Sequence, residues 1–299
     1  MRFVPVALLV LANALWGSSY VVAKVAMEEI PPPLLAALRF TLAAIALWCI
    51  IATRTHPKFP TPADAARLML LGAIGIGANG LLGYWGVNLT TATDAALLIV
   101  GEVLFTTVLA IALTSDRLSR PRAAALLIGL IGVLVVIVGG ATSQPTAEAP
   151  ARALGDVLIL CGLAFESAFT VLGTRLTQRH EPLTVLTLSI TGSCLLWLPV
   201  IGFFVLRSGI GLPSPGASAG VLYLAGINSV VCYLVWFGVL RYAGATLGAL
   251  SLLAQPVVGA TLGILLLGDP LTLSTLTGAF CVLACLALAA WRTRSESIP

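Results

Sequence analysis

Charge is what this sequence has least of. Only 9% of its 299 residues are Asp, Glu, Lys or Arg and 59% are hydrophobic, whereas a soluble chain draws roughly a quarter of its residues from the charged types. With a mean hydropathy of +1.05 there is too little polar surface to cover a water-facing globule of any shape, so most of the chain is solvated by lipid. Metal and redox motifs are lacking too. The two histidines, His56 and His180, lie in loop stretches far from any cysteine pair, and no HExxH occurs. Cys49, Cys161, Cys194, Cys232, Cys281 and Cys285 all fall inside apolar runs, which excludes an extracellular disulfide framework and reads as small core residues. There is no GxSG serine and no pair of mid-membrane aspartates, since Asp94, Asp116, Asp156 and Asp269 all fall near predicted helix ends. No Walker motif supplies ATP hydrolysis. An enzyme is therefore excluded, no cofactor or metal is expected, and nucleic acid is not a partner. The partners left are the bilayer and a small-molecule substrate, with monomer and homodimer both open.

What is present is a series of apolar windows. A bilayer core of about 30 Å takes about 20 residues per helix, so ten crossings and their loops fill the chain and leave no room for a soluble domain. The windows predict helices near 4–28, 33–53, 66–88, 93–114 and 122–140, then 154–176, 184–206, 218–241, 245–267 and 272–291. Met1-Arg2 and the apolar run after it superficially resemble a secretory signal, but apolarity continues to Met27 with no cleavage pattern, so a retained first helix is expected. With both termini in the cytoplasm, Arg2, Arg54, Lys58, Arg67, Arg117, Arg120, Arg122, Arg175, Arg179, Arg241, Arg292 and Arg294 lie inside, against Arg152 and Arg207 outside. That asymmetry predicts a multi-pass protein with cytoplasmic ends; a bacterial inner membrane is its expected location.

The Pro- and Ala-rich stretch 141–153 divides five windows from five, giving repeats at 1–140 and 154–299. The halves run in register. Asp116-Arg117-Leu118 precedes Asp269-Pro270-Leu271 by 153 residues, as Glu102 precedes Gln255, and Lys24 precedes Arg175 by 151, as Pro31 precedes Pro182. An odd number of crossings per half inserts the second copy upside down. The expected fold is thus an all-α membrane protein of ten transmembrane helices in two inverted five-helix repeats, an arrangement characteristic of secondary transporters.

Trp16-Gly17-Ser18-Ser19-Tyr20, Ala23-Lys24, Pro31 to Pro33 and Leu38-Arg39-Phe40, followed by Gln255-Pro256-Val257-Val258, Gly268-Asp269-Pro270-Leu271-Thr272 and Gly278, resemble the motifs of the EamA-type branch of the drug/metabolite transporter superfamily over essentially the whole chain. The pattern is broken where Glu102-Val103 replaces the first-half proline and where Glu166-Ser167 stands in the sixth helix opposite Trp16-Gly17. The resemblance implies ten helices and export of small metabolites or drugs. Within the family the chain is most similar to amino-acid exporters. Export of amino acids, aromatic or otherwise neutral, is therefore expected. A multidrug or other metabolite exporter, or a channel-like facilitator, is the alternative.

Polar residues deep in apolar helices face a protein interior or a wet cavity. On helix one, Asn13, Tyr20 and Lys24 fall near one line, with Trp16 and Gly17 beside it. Helix three aligns Gly77, Tyr84 and Asn88; helix six aligns Glu166, Thr170 and Gly173; helix nine aligns Gly248, Ser251, Gln255 and Gly259. Asn13, Trp16, Tyr20, Tyr84, Asn88, Glu166, Asn228, Trp236 and Gln255 are the candidate substrate-binding residues. For Asn13, Asn228 and Gln255 a plain interhelical hydrogen bond is an equal alternative, and for the aromatic residues ordinary packing competes with stacking on substrate. The glycines at 72, 75, 77, 80, 83 and 86 fit close packing better than a groove. A carboxylate near the bilayer centre costs several kcal/mol unless paired or hydrated, which makes Glu102 and Glu166 candidates for proton coupling or for receiving a substrate amino group. An ion pair with Lys24 or Arg39 is the alternative. Lys24 and Arg39 suit either a substrate carboxylate or anchoring of helix ends, and for Arg39 anchoring is the expectation.

Overall fold

The computed structural model describes residues 3–55, 59–113, 120–143, 149–208, 213–239 and 251–295. Outside them fall Arg2, His56, Lys58, Asp116, Arg117, Arg241, Gly248, the core of the predicted connecting loop at 144–148, and the predicted start of helix nine at 245–250. Among the described residues every regular element is helical. We number α1 Phe3–Ala26, α2 Pro32–Ala52, α3 Pro62–Leu89, α4 Ala92–Leu97 with Val100–Leu113, α5 Arg120–Ser143, α6 Ala149–Arg179, α7 Pro182–Ser208, α8 Pro215–Val239, α9 Ala254–Leu267 and α10 Leu273–Ser295. Seven of these contain stretches long and apolar enough to cross a membrane, and Ala123–Gly139, Ala254–Leu267 and Leu273–Leu288 are shorter apolar helices. Leu206, Leu265, Leu273 and Phe280 are exposed, while Asn13, Asn228 and Ser229 are buried. Apolar outside and polar inside is what lipid solvation selects.

Several helices begin earlier than hydropathy suggests, because caps are polar. Thr61 Oγ1 accepts from Asp64 N–H at 3.2 Å with Pro62 in the first turn, and Ser214 Oγ accepts from Ala217 N–H at 3.2 Å with Pro215 in the first turn. Ser214 also ties α8 to the α1–α2 loop. Its hydroxyl and its backbone N–H both donate to Glu29, at 2.5 and 2.8 Å, and hold that carboxyl below its ordinary range. The predicted loop 141–153 is mostly helix at its edges, since α5 runs to Ser143 and α6 starts at Ala149. Pro150 is tolerated there because a first-turn residue needs no N–H donor.

Two irregularities recur at matching places. Both α3 and α8 pass through wider π turns, at Ala73–Gly77 and Tyr223–Cys232. α4 is broken at 98–99, and a turn at 252–253 leads into α9 at the matching place. At the start of α9 the cause is Pro256, which has no N–H for the Leu252 carbonyl; Gln255 N–H takes it instead at 3.1 Å in a tightened turn. In α4, where no proline stands, Gly101 and Glu102 N–H tighten onto Leu98 and Ile99 carbonyls at 2.8 and 3.0 Å.

Packing partners also come in matching pairs. α1 lies on α9 and α6 on α4; α3 lies on α6 and α8 on α1; α3 meets α7 and α8 meets α2; α2 packs on α7 and α5 on α10. Glycine makes these crossings close. A Cβ on Gly17 would stand 2.5 Å from the Gln255 carbonyl oxygen, and Gly72 and Gly192 face the backbones of Ser189 and Met69 with no room for one. The glycine run of α3 is mainly such a surface, with Gly75 against Phe169, Gly77 against Leu196 and Gly86 against α6. Of the cysteines, Cys232 and Cys285 are buried as expected, but Cys49 and Cys161 lie on exposed helix faces. A thiol is apolar enough to face lipid as readily as a core.

Candidate functional site

A cavity of about 610 Å³ lies between the two halves of the chain. α1 to α4 and α6 to α9 wall it, and no described residue of α5 or α10 lines it. The two uninvolved helices are those that pack on each other. Of the predicted binding residues, Trp16, Tyr20, Tyr84, Glu166, Trp236 and Gln255 line the cavity, as does Glu102.

The other three sit elsewhere. Asn13 is fully buried behind the wall, where its Nδ2 donates to the Leu9 carbonyl and Ser251 Oγ, both at 2.9 Å, and its Oδ1 accepts from Gln255 Nε2 at 2.7 Å. It orients Gln255 rather than meeting the cavity. Asn228, also fully buried, donates from Nδ2 to the Leu15 carbonyl at 3.2 Å, and its own carbonyl accepts from Trp16 Nε1 at 3.1 Å. It fixes the Trp16 ring. Asn88 stands in the last turn of α3 with an exposed side chain.

Trp16 anchors the aromatic wall. Its ring meets Tyr233 edge-on at 5.1 Å and Trp236 at 5.7 Å, and Tyr233 stacks on Phe237 at 6.1 Å. Such a wall offers faces and edges to a flat or apolar group. Facing it, both oxygens of Glu166 are occupied, one by Asn79 Nδ2 at 2.6 Å and one by Tyr233 OH at 2.8 Å. The ion pair weighed for the two acids does not form among the described residues. The partners of Glu166 are neutral donors, and among the described residues the Glu102 carboxyl has no hydrogen-bond or ion-pair partner. Lys24 Nζ points the other way, donating to the Val87 carbonyl at 3.0 Å and to that of Thr90, where it closes the last turn of α3.

Arg39 turns inward. Its Nε donates to Ser229 Oγ and its Nη1 to Tyr84 OH, both at 2.7 Å, and its guanidinium carbon lies 5.3 and 5.8 Å from the Phe40 and Tyr84 ring centres. Sequence reasoning left out Asn79 and Tyr233. Asn79 carried a signal, because Asn79, Gly83 and Val87 recur every four residues and all three line the cavity; Tyr233 was visible only as one aromatic among several.

A separate polar layer lies outside the cavity lining. Arg152 reaches Asp94 Oδ2 with Nε at 3.0 Å and Nη2 at 2.6 Å, Thr90 Oγ1 donates to Asp156 Oδ1 at 2.5 Å, and Thr93 N–H donates to Asp269 Oδ2 at 2.8 Å. These contacts join α3, α4, α6 and the turn after α9. Among the described residues no three His, Cys, Asp or Glu side chains are placed to hold a metal.

Helices packed around a polar cavity, with an apolar exterior, are the build of a membrane carrier, and the sequence matches one family twice, over residues 4–138 and 153–291. The chain belongs to the EamA-like transporter family. It is 30% identical over 290 residues to a Salmonella typhimurium protein named "Probable amino-acid metabolite efflux pump", covering 93% of this chain and 91% of that one. It is 25% identical to a "Probable terminal-alkyne amino-acid exporter" of Streptantibioticus cattleyicolor, over 91% of this chain and 88% of that one. A crystal structure 19% identical over the full length of both chains has the same fold, with a TM-score of 0.67. This EamA-family chain is a multi-pass transmembrane transport protein, and the relatives are named as transporters and efflux pumps, not as enzymes.

Proposed function

We propose that this chain is a secondary transporter that exports small neutral amino acids, with aromatic or other apolar side chains, from the cytoplasm by alternating access. In this reading it spans a bacterial inner membrane ten times with both termini cytoplasmic, as two inverted five-helix repeats, 1–140 and 154–299, about the connecting stretch 141–153. The observation that carries the proposal is the cavity, walled by equivalent helices of each half and furnished with two carboxyl groups against an aromatic wall. The break within α4 and the turn leading into α9 at the matching place, matching π turns in α3 and α8, and packing pairs that exchange when each helix is replaced by the one five later support the repeat. The names of the amino-acid efflux relatives support the substrate class. Trp16, Tyr20, Tyr84, Glu166, Trp236 and Gln255 form the binding wall, Asn13 and Asn228 position Gln255 and Trp16, and Glu102 or Glu166 couples proton movement to export.

The test is uptake into liposomes of a labelled panel of amino acids, nucleosides, sugars and quaternary ammonium compounds, with and without a pH gradient. Saturable amino-acid uptake with counterflow is expected. Flux that never saturates would make the chain a channel, and uptake confined to quaternary ammonium compounds would make it a drug exporter. Glu102→Gln and Glu166→Gln assign the coupling: at least one should flatten the pH dependence of export, and two unchanged profiles would remove the coupling role from both.

A further inference from the structure

Among the described residues, Arg39 has three N–H donors to spare. A guanidinium carries five, and two are used, one on Ser229 and one on Tyr84. Both partners are neutral hydroxyls, and among the described residues no carboxylate lies within ion-pair distance. A cation in a membrane-spanning helix without an anion is costly and is kept where something else supplies the anion. The surrounding residues hold the group fixed. Ser229 Oγ is itself oriented, donating to the Leu224 carbonyl at 3.0 Å within the π turn of α8, and Phe40 and Tyr84 present their rings to the guanidinium. Tyr84 comes from α3 and Ser229 from α8, so each half of the chain supplies one of the hydroxyls that set the fork. In the same cavity Glu102 offers a carboxyl with no hydrogen-bond partner among the described residues, while the oxygens of Glu166 are already taken.

We infer that Arg39 is the carboxylate subsite of the cavity and Glu102 its ammonium subsite, so that the substrate is recognised as a zwitterion with its side chain on the Trp16 and Trp236 wall. This rests on the amino-acid reading above and deepens it. Amines and carboxylic acids lacking the second group should be poor ligands, because each would leave one buried polar group of the cavity unmatched.

The experiment uses purified full-length protein in liposomes, with labelled L-phenylalanine and 2-phenylethylamine, which is the same molecule without its carboxylate. Arg39→Gln should raise the half-saturation concentration for L-phenylalanine by about ten- to hundred-fold and leave that for 2-phenylethylamine within about two-fold. Tyr84→Phe, which keeps the charge and frees the fork, should give the same selective loss in smaller measure. Equal losses for both probes, or none for L-phenylalanine, overturn the assignment. Should Arg39→Gln fail to fold, the wild type decides. L-phenylalanine methyl ester should compete at least about ten-fold less well than the free acid, and equal competition overturns the proposal. Wild-type protein that takes up neither L-phenylalanine nor L-leucine overturns the amino-acid reading itself, and this assignment with it.

Discussion

The pair Arg152 and Asp94 lets the energetics of the polar layer be worked out in advance. Asp94 is 3% exposed and Arg152 12%, and two guanidinium N–H groups converge on the single oxygen Oδ2. At an effective dielectric of about 20 and a charge separation of about 4 Å, their attraction is about 4 kcal/mol. Removing the arginine forfeits that and strands a carboxylate that cannot reach water, so Arg152→Gln should cost about 3–5 kcal/mol. Asp94→Asn should cost less, because the more exposed and longer Arg152 side chain can swing its charge towards solvent. The double variant should recover part of the larger loss, since no lone charge remains. Reversible unfolding by sodium dodecyl sulfate in mixed micelles, run on all four proteins as a double-mutant cycle, measures each term. The reasoning is refuted if Arg152→Gln costs less than about 1 kcal/mol, the level of a surface ion pair, or if Asp94→Asn is the more damaging change.

The other perturbations test packing and capping. Gly17→Ala places a Cβ 2.5 Å from the Gln255 carbonyl oxygen, so α1 and α9 must part, at about 1–3 kcal/mol; Gly202→Ala, which meets nothing within 4 Å, should be neutral or slightly stabilising, and thermal retention of the monodisperse peak on size exclusion compares them. Lys24→Met removes the donor that closes α3 onto the Val87 and Thr90 carbonyls and should cost about 1–3 kcal/mol, with Lys24→Arg restoring most of it; equal stability of the Met and Lys proteins in the same assay would show that the carbonyls find other partners.

Apolar length and caps are local properties, and they were legible. Each of the ten predicted windows has a helix, and the Ser/Thr-Pro starts of α3 and α8 stand in the sequence for anyone who weighs caps against hydropathy. What one residue of a polar face meets was not legible. Asn13, Tyr20 and Lys24 share a line on α1, yet Asn13 bonds α9, Tyr20 enters the cavity and Lys24 closes α3. A helix rising 1.5 Å per residue separates the first from the last of these by about 16 Å, far enough for one face to pass several neighbours. Arg39 failed as an expectation for a related reason. Its depth in α2 could be read, but the hydroxyls that turn it inward come from Tyr84 and Ser229, 45 and 190 residues away. The π turns left no mark on the hydrophobic pattern, and the break in α4 lacks the proline that announces the turn into α9.

The backbone repeats where the chemistry does not. Glu102 and Gln255 hold matching places just after the break in α4 and the turn into α9, and both reach the cavity, but one carries an ionisable group and the other an amide held by Asn13. Glu166 on α6 stands opposite Trp16 on α1, 150 residues earlier, and Arg39 on α2 stands 151 before Ile190 on α7. Under the proposed exchange of conformations, similar backbones are what two opposite states of similar energy require. Dissimilar side chains are what a single ligand with unlike ends requires, because a cavity with two-fold symmetric charges would bind such a ligand equally well in two opposed poses. On the proposed reading, the divergence of Glu102 from Gln255, and of Arg39 from Ile190, is where the two unlike ends of one ligand are met, while the shared turns and crossings serve the exchange of conformations.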